Sequence, residues 1–104
     1  MSRPVSFSPW ARRSLDEIAD WTRERWGPRQ ADAYIGRIEA ALRRVGAGTL
    51  QGRSAAQRWG EGVRAGLLFV KVEKHVVLFV EEPGEVVVVD VLHGAMDVAG
   101  RVRG

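Results

Sequence analysis

Apolar residues in the first part of the chain recur at the spacing of an α-helix. Turned by about 100° per residue, they form one stripe made of Ala11, Leu15, Ile18, Ala19, Thr22 and Trp26. Ser8 and Pro9 stand just before this stripe. A serine side chain can accept a hydrogen bond from a free N–H group of the first turn, and proline suits the first helical position. The pattern predicts an amphipathic helix over residues 9–25.

A second apolar stripe begins after Gly27 and Pro28. Its members follow the i, i+3, i+4, i+7 rule and are Ala31, Tyr34, Ile35, Ile38, Ala41, Leu42 and Val45. We predict a second helix over residues 28–45 and expect Gly46 and Gly48 to end it. Because the connection is so short, the two helices should form an antiparallel hairpin whose stripes share one core.

The period of the pattern changes from that of helices to that of strands near Gly62. Residues 67–72, 76–80 and 86–92 are rich in β-branched side chains, and the polar segments 73–75 and 82–85 between them suit antiparallel hairpins. The unbroken valines of the third segment indicate burial on both faces, hence a central strand. Residues 5–7 are a short strand candidate.

Residues 47–62 contain four glycines and no period, which predicts a loop anchored by Leu50 and Trp59. The elements together indicate an α/β fold of the α+β type, with an N-terminal helical hairpin packed on a small antiparallel β-sheet from residues 63–92. At 104 residues the chain should be a single domain, spanning 1–104.

The composition limits the cellular compartments and the kinds of chemistry that are compatible with the sequence. The chain has no cysteine, which excludes disulfides and thiol nucleophiles and suits a reducing cytosol. The longest apolar run, residues 76–80, is too short to span a membrane, and residues 1–4 open no signal peptide. We therefore expect a soluble protein of the cytoplasm.

The formal net charge is +3, but the charge is unevenly distributed. Residues 1–64 carry twelve arginines against seven acidic residues, whereas residues 65–104 carry four cations against six acidic residues. Much of the basic surface interleaves arginine with glutamate and aspartate, as on a solvated helix face. Basicity alone does not establish nucleic-acid binding.

The common catalytic patterns are missing from the sequence. The glycines of residues 46–52 have the wrong spacing for a phosphate-binding loop. His75 and His93 lack partners at metal-ligand spacing, and no serine lies in a nucleophile elbow. We expect no cofactor, no metal and no catalytic residue.

Several short motifs occur in the same order as in one known family. They are Ser8-Pro9 with Asp16-Glu17, Arg25-Trp26-Gly27, Gly52-Arg53, Gly62-Val63-Arg64, His75 before residues 76–79, and Val91-Leu92-His93 with Met96-Asp97. The chain thereby resembles the ParE branch of the ParE/RelE toxins, the toxic halves of bacterial toxin–antitoxin pairs. The resemblance covers nearly the whole chain. It implies a ParD-like antitoxin encoded alongside, inhibition of DNA gyrase, and a role in plasmid stabilisation.

Two other activities are compatible with the resemblance. RelE-type toxins cleave messenger RNA on the ribosome with cations on the sheet and usually a tyrosine near the C-terminus. Here residues 65–92 carry only Lys71 and Lys74, and the single tyrosine, Tyr34, belongs to a helix stripe. His93 could serve as a base or as a structural hydrogen-bonding group. A third possibility is a binding-only co-repressor, which reaches DNA indirectly through the antitoxin.

Candidate contact residues follow from the resemblance and from the helical wheel. For the target they are Arg64, Arg101 and Arg103, although Arg64 could merely tie a loop to the sheet, and we expect the tail to be disordered unless a partner holds it. For the antitoxin they are Trp10 and Trp21, which lie outside the stripe as lids or anchors, and the nearby Arg12, Arg13 and Arg25.

Overall fold

A computed structural model describes residues 2–103 of the chain. In chain order the elements are β1 (Val5–Phe7), α1 (Pro9–Trp26), α2 (Pro28–Ala47), β2 (Arg53–Ser54), α3 (Ala55–Trp59), β3 (Leu68–Val72), β4 (His75–Glu82), β5 (Glu85–His93) and α4 (Val98–Arg103). The predicted helical hairpin and the three long strands are confirmed. No helix within residues 2–103 is long and apolar enough to cross a membrane.

The five strands form one mixed sheet in the order β1-β5-β4-β3-β2. β3, β4 and β5 pair antiparallel through two tight hairpins, as the short polar segments between them predicted. β1 joins the outer side of β5 in parallel, with Val5 opposite Val86 and Phe7 opposite Val88. β5 is therefore an interior strand, but the middle of the sheet is β4, whose residues 75–80 are all buried.

The helix ends follow from local chemistry. The Ser8 hydroxyl accepts a hydrogen bond from the Ala11 N–H group at 3.0 Å, as expected of an N-cap. Gly48 has a positive φ of 82° and ends α2 as a left-handed cap. Gly46 does not end α2, contrary to the prediction, but lies inside it. The chain leading into β1 passes so close that a Cβ on Gly46 would come within 2.5 Å of the Arg3 carbonyl oxygen.

The sheet has a core on each of its two faces. The larger core joins the helical hairpin to one face, and its buried members include Leu15, Ile38, Leu42, Val77 and Phe79. The smaller core on the other face includes Phe69, Val76, Leu78 and Leu92 from the sheet and Ala55 and Val98 from α3 and α4. The two short helices thus cover the face that the hairpin leaves open.

Three local predictions are wrong. Residues 47–62 are not only a loop, because they contain β2 and α3, and the Ser54 hydroxyl caps α3 by accepting from the Gln57 N–H group at 3.2 Å. The tail is not disordered, since residues 98–103 form α4 and bury Val98. Trp26 does not join the core. It is the last residue of α1, where the chain turns into α2, and it is 62% exposed.

The remaining correction concerns the first hairpin turn. His75 was expected in the turn, but it is the first residue of β4, pairs with Val72, and is buried. The turn consists of Glu73 and Lys74 alone, and Glu73 has a positive φ of 54°. This places the His75 ring inside the structure beside α2 rather than in solvent.

Candidate functional site

A large concave surface lies between α1 and the end of the sheet where β5 finishes. This groove has a volume of about 1140 Å³. Its walls come from α1, the start of α2, the β3–β4 turn, the end of β5 and the segment leading into α4. We call it the tryptophan groove, because it is lined by Trp10, Trp21 and Trp26 together with Arg13, Arg25, Tyr34, Lys74, His75, Asp90, His93, Met96 and Arg101.

The three tryptophans are strongly exposed for residues of this size. Trp10 is 54% exposed, Trp21 is 59% exposed and Trp26 is 62% exposed. The Arg25 guanidinium lies 5.5 Å from the Trp21 ring and 5.8 Å from the Trp26 ring, and Arg13 lies 5.5 Å from the Trp10 ring. Clustered apolar rings with cations beside them are typical of an interface that binds a protein with apolar and acidic side chains.

Trp10 is held in place by a buried carboxylate. Its indole N–H group donates to Asp90 at 2.9 Å, and the Ser14 hydroxyl and the Val91 N–H group donate to the other Asp90 oxygen at 2.7 and 2.8 Å. The sheet register shifts here, so that Phe79 pairs with Val88 while Leu78 pairs with Asp90. The resulting bulge turns Asp90 toward α1. Trp10 is therefore held through its indole nitrogen while about half of the residue stays exposed.

At the other end of the tryptophan groove, Tyr34 contacts the two histidines. The Tyr34 hydroxyl accepts from the Lys74 N–H group at 3.2 Å and lies 2.6 Å from His75 Nδ1, to which it can donate its proton. The His75 and His93 rings meet edge to face at 5.1 Å. Burial, aided by His93, lowers the pKa of His75 to about 4, and burial raises the pKa of Tyr34.

One ring nitrogen of each histidine in this cluster is already engaged in a hydrogen bond. With its pKa at about 4, His75 is neutral near pH 7, and its Nδ1 atom is already engaged by Tyr34. His93 is exposed, and its Nδ1 atom accepts from the Ala95 N–H group at 3.0 Å, which fixes the turn after β5. A general base needs a pKa near the working pH, and that of His75 lies well below it. Within residues 2–103 no group of three potential metal ligands comes together.

The structure brings some of the sequence candidates together and separates others. Trp10, Trp21, Arg13, Arg25 and Arg101 all line the tryptophan groove. The other three candidates lie outside it. The Arg12 guanidinium covers the Phe7 ring of β1 at 4.5 Å. Arg64 is exposed in the loop before β3. The Arg103 guanidinium donates to the Trp59 carbonyl oxygen, which ties α4 to α3.

Sequence reasoning missed two parts of this site. Asp90 was the only charged residue inside a run of buried valines, and a lone carboxylate in such a strand signals a buried hydrogen-bonding role. The contact of Tyr34 with His75 had no comparable signal, because it depends on how α2 crosses the sheet. Tyr34 does lie on the stripe of α2, but its hydroxyl reaches the edge of the core.

The sequence was compared with protein families and with known relatives. The profile of the family described as ParE toxin of type II toxin-antitoxin system, parDE, matches residues 5–98. Two relatives, each named Toxin ParE1, come from Mycobacterium tuberculosis strains CDC 1551 / Oshkosh and ATCC 25618 / H37Rv. Each is 34% identical over 99 residues, which is 94% of this chain and 96% of the relative.

Two solved structures share the fold. A chain of the chromosomal ParDE TA system from P. aeruginosa has a TM-score of 0.69 at 18% identity, covering 88% of this chain and 96% of that one. A chain of the toxin-antitoxin complex RelBE2 from Mycobacterium tuberculosis has a TM-score of 0.56 at 19% identity, covering 89% and 99%. The family profile spans most of the chain and the relatives match nearly its full length, so the chain belongs to the ParE toxins of type II toxin–antitoxin systems.

Proposed function

We propose that this toxin inhibits DNA gyrase and that a ParD-like antitoxin neutralises it by binding in the tryptophan groove. Gyrase as the target is supported by membership of the ParE family. The binding of an antitoxin is supported by the groove itself, where three tryptophans remain more than half exposed. The proposal assigns the protein to the bacterial cytoplasm, where gyrase acts, and to no catalytic reaction of its own.

The exposed tryptophans are the single observation that carries the antitoxin part. Burial of the solvent-exposed surface of a large aromatic ring contributes strongly to the free energy of binding. Such rings are frequent hot spots when they lie near the centre of an interface. An amphipathic helix fits this groove, because its apolar face would cover the rings while acidic side chains met Arg13, Arg25 and Arg101. Charge attraction of this kind speeds association at low salt.

The experiment for the target uses purified toxin and purified gyrase. We expect toxin to block supercoiling of relaxed plasmid and to leave cleaved DNA, and we expect the cognate antitoxin to restore activity. Expression without antitoxin should cause DNA damage and filamentation. Unchanged supercoiling at saturating toxin would contradict the gyrase proposal, while a stable toxin–antitoxin complex in the same preparation would leave the antitoxin proposal standing.

The second candidate function is ribosome-dependent cleavage of messenger RNA. Its specific support is the contact of Tyr34, His75 and His93, with Lys74 and Arg101 lining the same groove. Against it, the only tyrosine is bound to a neutral histidine, and the His93 Nδ1 atom is used by its own turn. We therefore infer that the toxin does not cut RNA, and that any co-repressor role comes through the antitoxin.

A further inference from the structure

A second groove lies on the sheet face opposite the helical hairpin. It has a volume of about 470 Å³ and is bounded by β2, α3, β3 and the segment before α4. Phe69 and Trp59 form its floor, and Phe69 belongs to the smaller core. Three cations surround this floor: Arg53 from β2, Arg58 from α3 and Lys71 from β3. We call it the basic groove.

The three cations have no partner of their own. Within residues 2–103, none of their side chains forms an ion pair or donates a hydrogen bond. The one acidic residue that lines the groove, Asp97, accepts a hydrogen bond from the Gly100 N–H group at 3.1 Å and thereby starts α4. The groove thus combines three free positive charges with a single carboxylate that is already engaged.

The two guanidinium groups are held in position by aromatic rings. Arg53 lies opposite Phe69 in the strand pairing, and its guanidinium carbon is 5.4 Å from that ring. The Arg58 guanidinium is 5.6 Å from the Trp59 ring, and the Trp59 and Phe69 rings pack at 4.6 Å. An arginine that rests on a ring still has N–H donors free at its edge, and this planar fork matches the oxygens of a phosphate.

We propose that the basic groove binds the phosphate backbone of duplex DNA. A polyanion with regularly spaced charges can satisfy three separated cations at once. Phe69 is only 5% exposed, and the Trp59 ring already packs on Phe69 and lies beside Arg58, so the groove offers little aromatic surface for stacking an unpaired base and single-stranded DNA has no advantage. Contacts to phosphates alone carry no sequence information, so binding is independent of sequence.

This inference goes beyond the proposed function and does not depend on gyrase. It departs from the sequence expectation that DNA is reached only through the antitoxin. That expectation came from the family resemblance, and the count of cations in residues 65–92, used against RNA cleavage, showed only Lys71 and Lys74. Arg53 and Arg58 precede residues 65–92. The pairing of β2 with β3 places Arg53 opposite Phe69, and Phe69 lies on the same strand as Lys71.

The test measures binding of the free toxin to a short fluorescein-labelled duplex by fluorescence anisotropy over a salt series. The variant Arg53→Gln/Arg58→Gln/Lys71→Gln removes three charges but keeps most of each aliphatic stem over the rings. Its matched control, Arg29→Gln/Arg43→Gln/Arg44→Gln, removes three charges from exposed positions on α2. A further variant, Arg53→Lys/Arg58→Lys, keeps the charge, and circular dichroism verifies that each variant is folded.

We expect the groove variant to bind on the order of tenfold or more weakly at low salt and its salt slope to fall by about 2 to 3, since each phosphate contact contributes about 0.9. The control should bind nearly as the unmodified toxin does, and the lysine variant should bind more tightly than the groove variant but more weakly than the control, since it keeps the charge and lacks the planar fork. The proposal would be overturned if the unmodified toxin did not bind duplex DNA. It would also be overturned if both triple variants lost equal amounts of DNA affinity. Tighter binding to single strands, or displacement of DNA by polyglutamate of equal charge, would also overturn it.

Discussion

The two exposed tryptophans of α1 should respond very differently to substitution, although both line the same groove. Trp10 donates to the buried carboxylate of Asp90, whereas the Trp21 indole makes no hydrogen bond within residues 2–103. Trp10 therefore acts partly as a lid, and Trp21 is the better candidate for a pure antitoxin anchor. We test this with Trp10→Phe, which keeps an aromatic ring but removes the donor, and with Trp21→Ala.

The expected magnitudes follow from these contacts. Loss of a hydrogen bond to a charged partner costs about 1.5 to 3 kcal/mol, so Trp10→Phe should lower the free energy of unfolding by about 2 kcal/mol. In a domain of this size that corresponds to a fall in Tm of roughly 10 °C. Trp21 is 59% exposed, and its removal should change the unfolding free energy by less than about 0.5 kcal/mol. Antitoxin affinity should instead fall by more than about 2 kcal/mol, or roughly thirtyfold.

Urea denaturation of the free toxins and calorimetric titration with the cognate antitoxin separate the two effects. If Trp21→Ala unfolds as early as Trp10→Phe while the folded fraction binds antitoxin normally, Trp21 is a lid and the anchor interpretation is wrong. From the sequence, both tryptophans are candidate lids or anchors alike, and a double alanine variant should keep its Tm if both are anchors. The bond from Trp10 to Asp90 now predicts a lower Tm for that variant.

Three further predictions concern acid stability, helix packing and catalysis. His75 has a pKa of about 4 in the folded protein against an ordinary 6.5, so the unfolded chain takes up its proton first. This contribution to stability, of up to about 3 kcal/mol at about 1.4 kcal/mol per pKa unit, is fully present above pH 6.5 and is lost as the pH falls through 4, which denaturation across pH will show. Gly46→Ala should lower the unfolding free energy by about 2 kcal/mol, while Gly36→Ala, with nothing near its added Cβ, should raise it by up to about 1. Purified toxin should cut no mRNA on translating ribosomes.

Each of these three predictions can be contradicted by a specific outcome. A pH dependence that persists after His75→Gln would assign acid sensitivity to other groups. Equal effects of alanine at both glycines would mean that the approach of Arg3 to α2 is easily relieved. Cuts in the ribosomal A site that disappear in His93→Ala or Lys71→Ala would replace the gyrase proposal with RNA cleavage.

The regular elements were predictable because each repeats its pattern over several turns or residues. The stripe from Ala11 to Thr22 and the alternation around residues 68–92 hold regardless of what packs on them. β2 and α3 were missed because they are two and five residues long, too short for any period to show. Trp26 was wrongly assigned to the core stripe because a helical wheel does not show where a helix ends, and α1 ends at this residue.

The candidate site was only half predictable for a related reason. The positions of Trp10 and Trp21 follow from the wheel of a single helix. The bond to Asp90 requires a bulge in β5, and the contact of Tyr34 with His75 requires the crossing of α2 over the sheet. Arg101 and Arg103 are neighbours in sequence, but they face different partners because the short helix α4 turns them apart. Such relations between distant segments leave no local trace in the sequence.

The parallel pairing of β1 with β5 has a consequence for synthesis on the ribosome. Residues 5–7 are synthesised before the helical hairpin, but their partners at 86–88 are synthesised only after it and after β4. The helical hairpin rests on local contacts and can form first, while this pairing of high sequence separation must wait. Because α1 and β5 both line the tryptophan groove, a nascent toxin has no complete groove until β5 has been synthesised. If the antitoxin binds in this groove as proposed, it recognises only chains in which β5 is already in place.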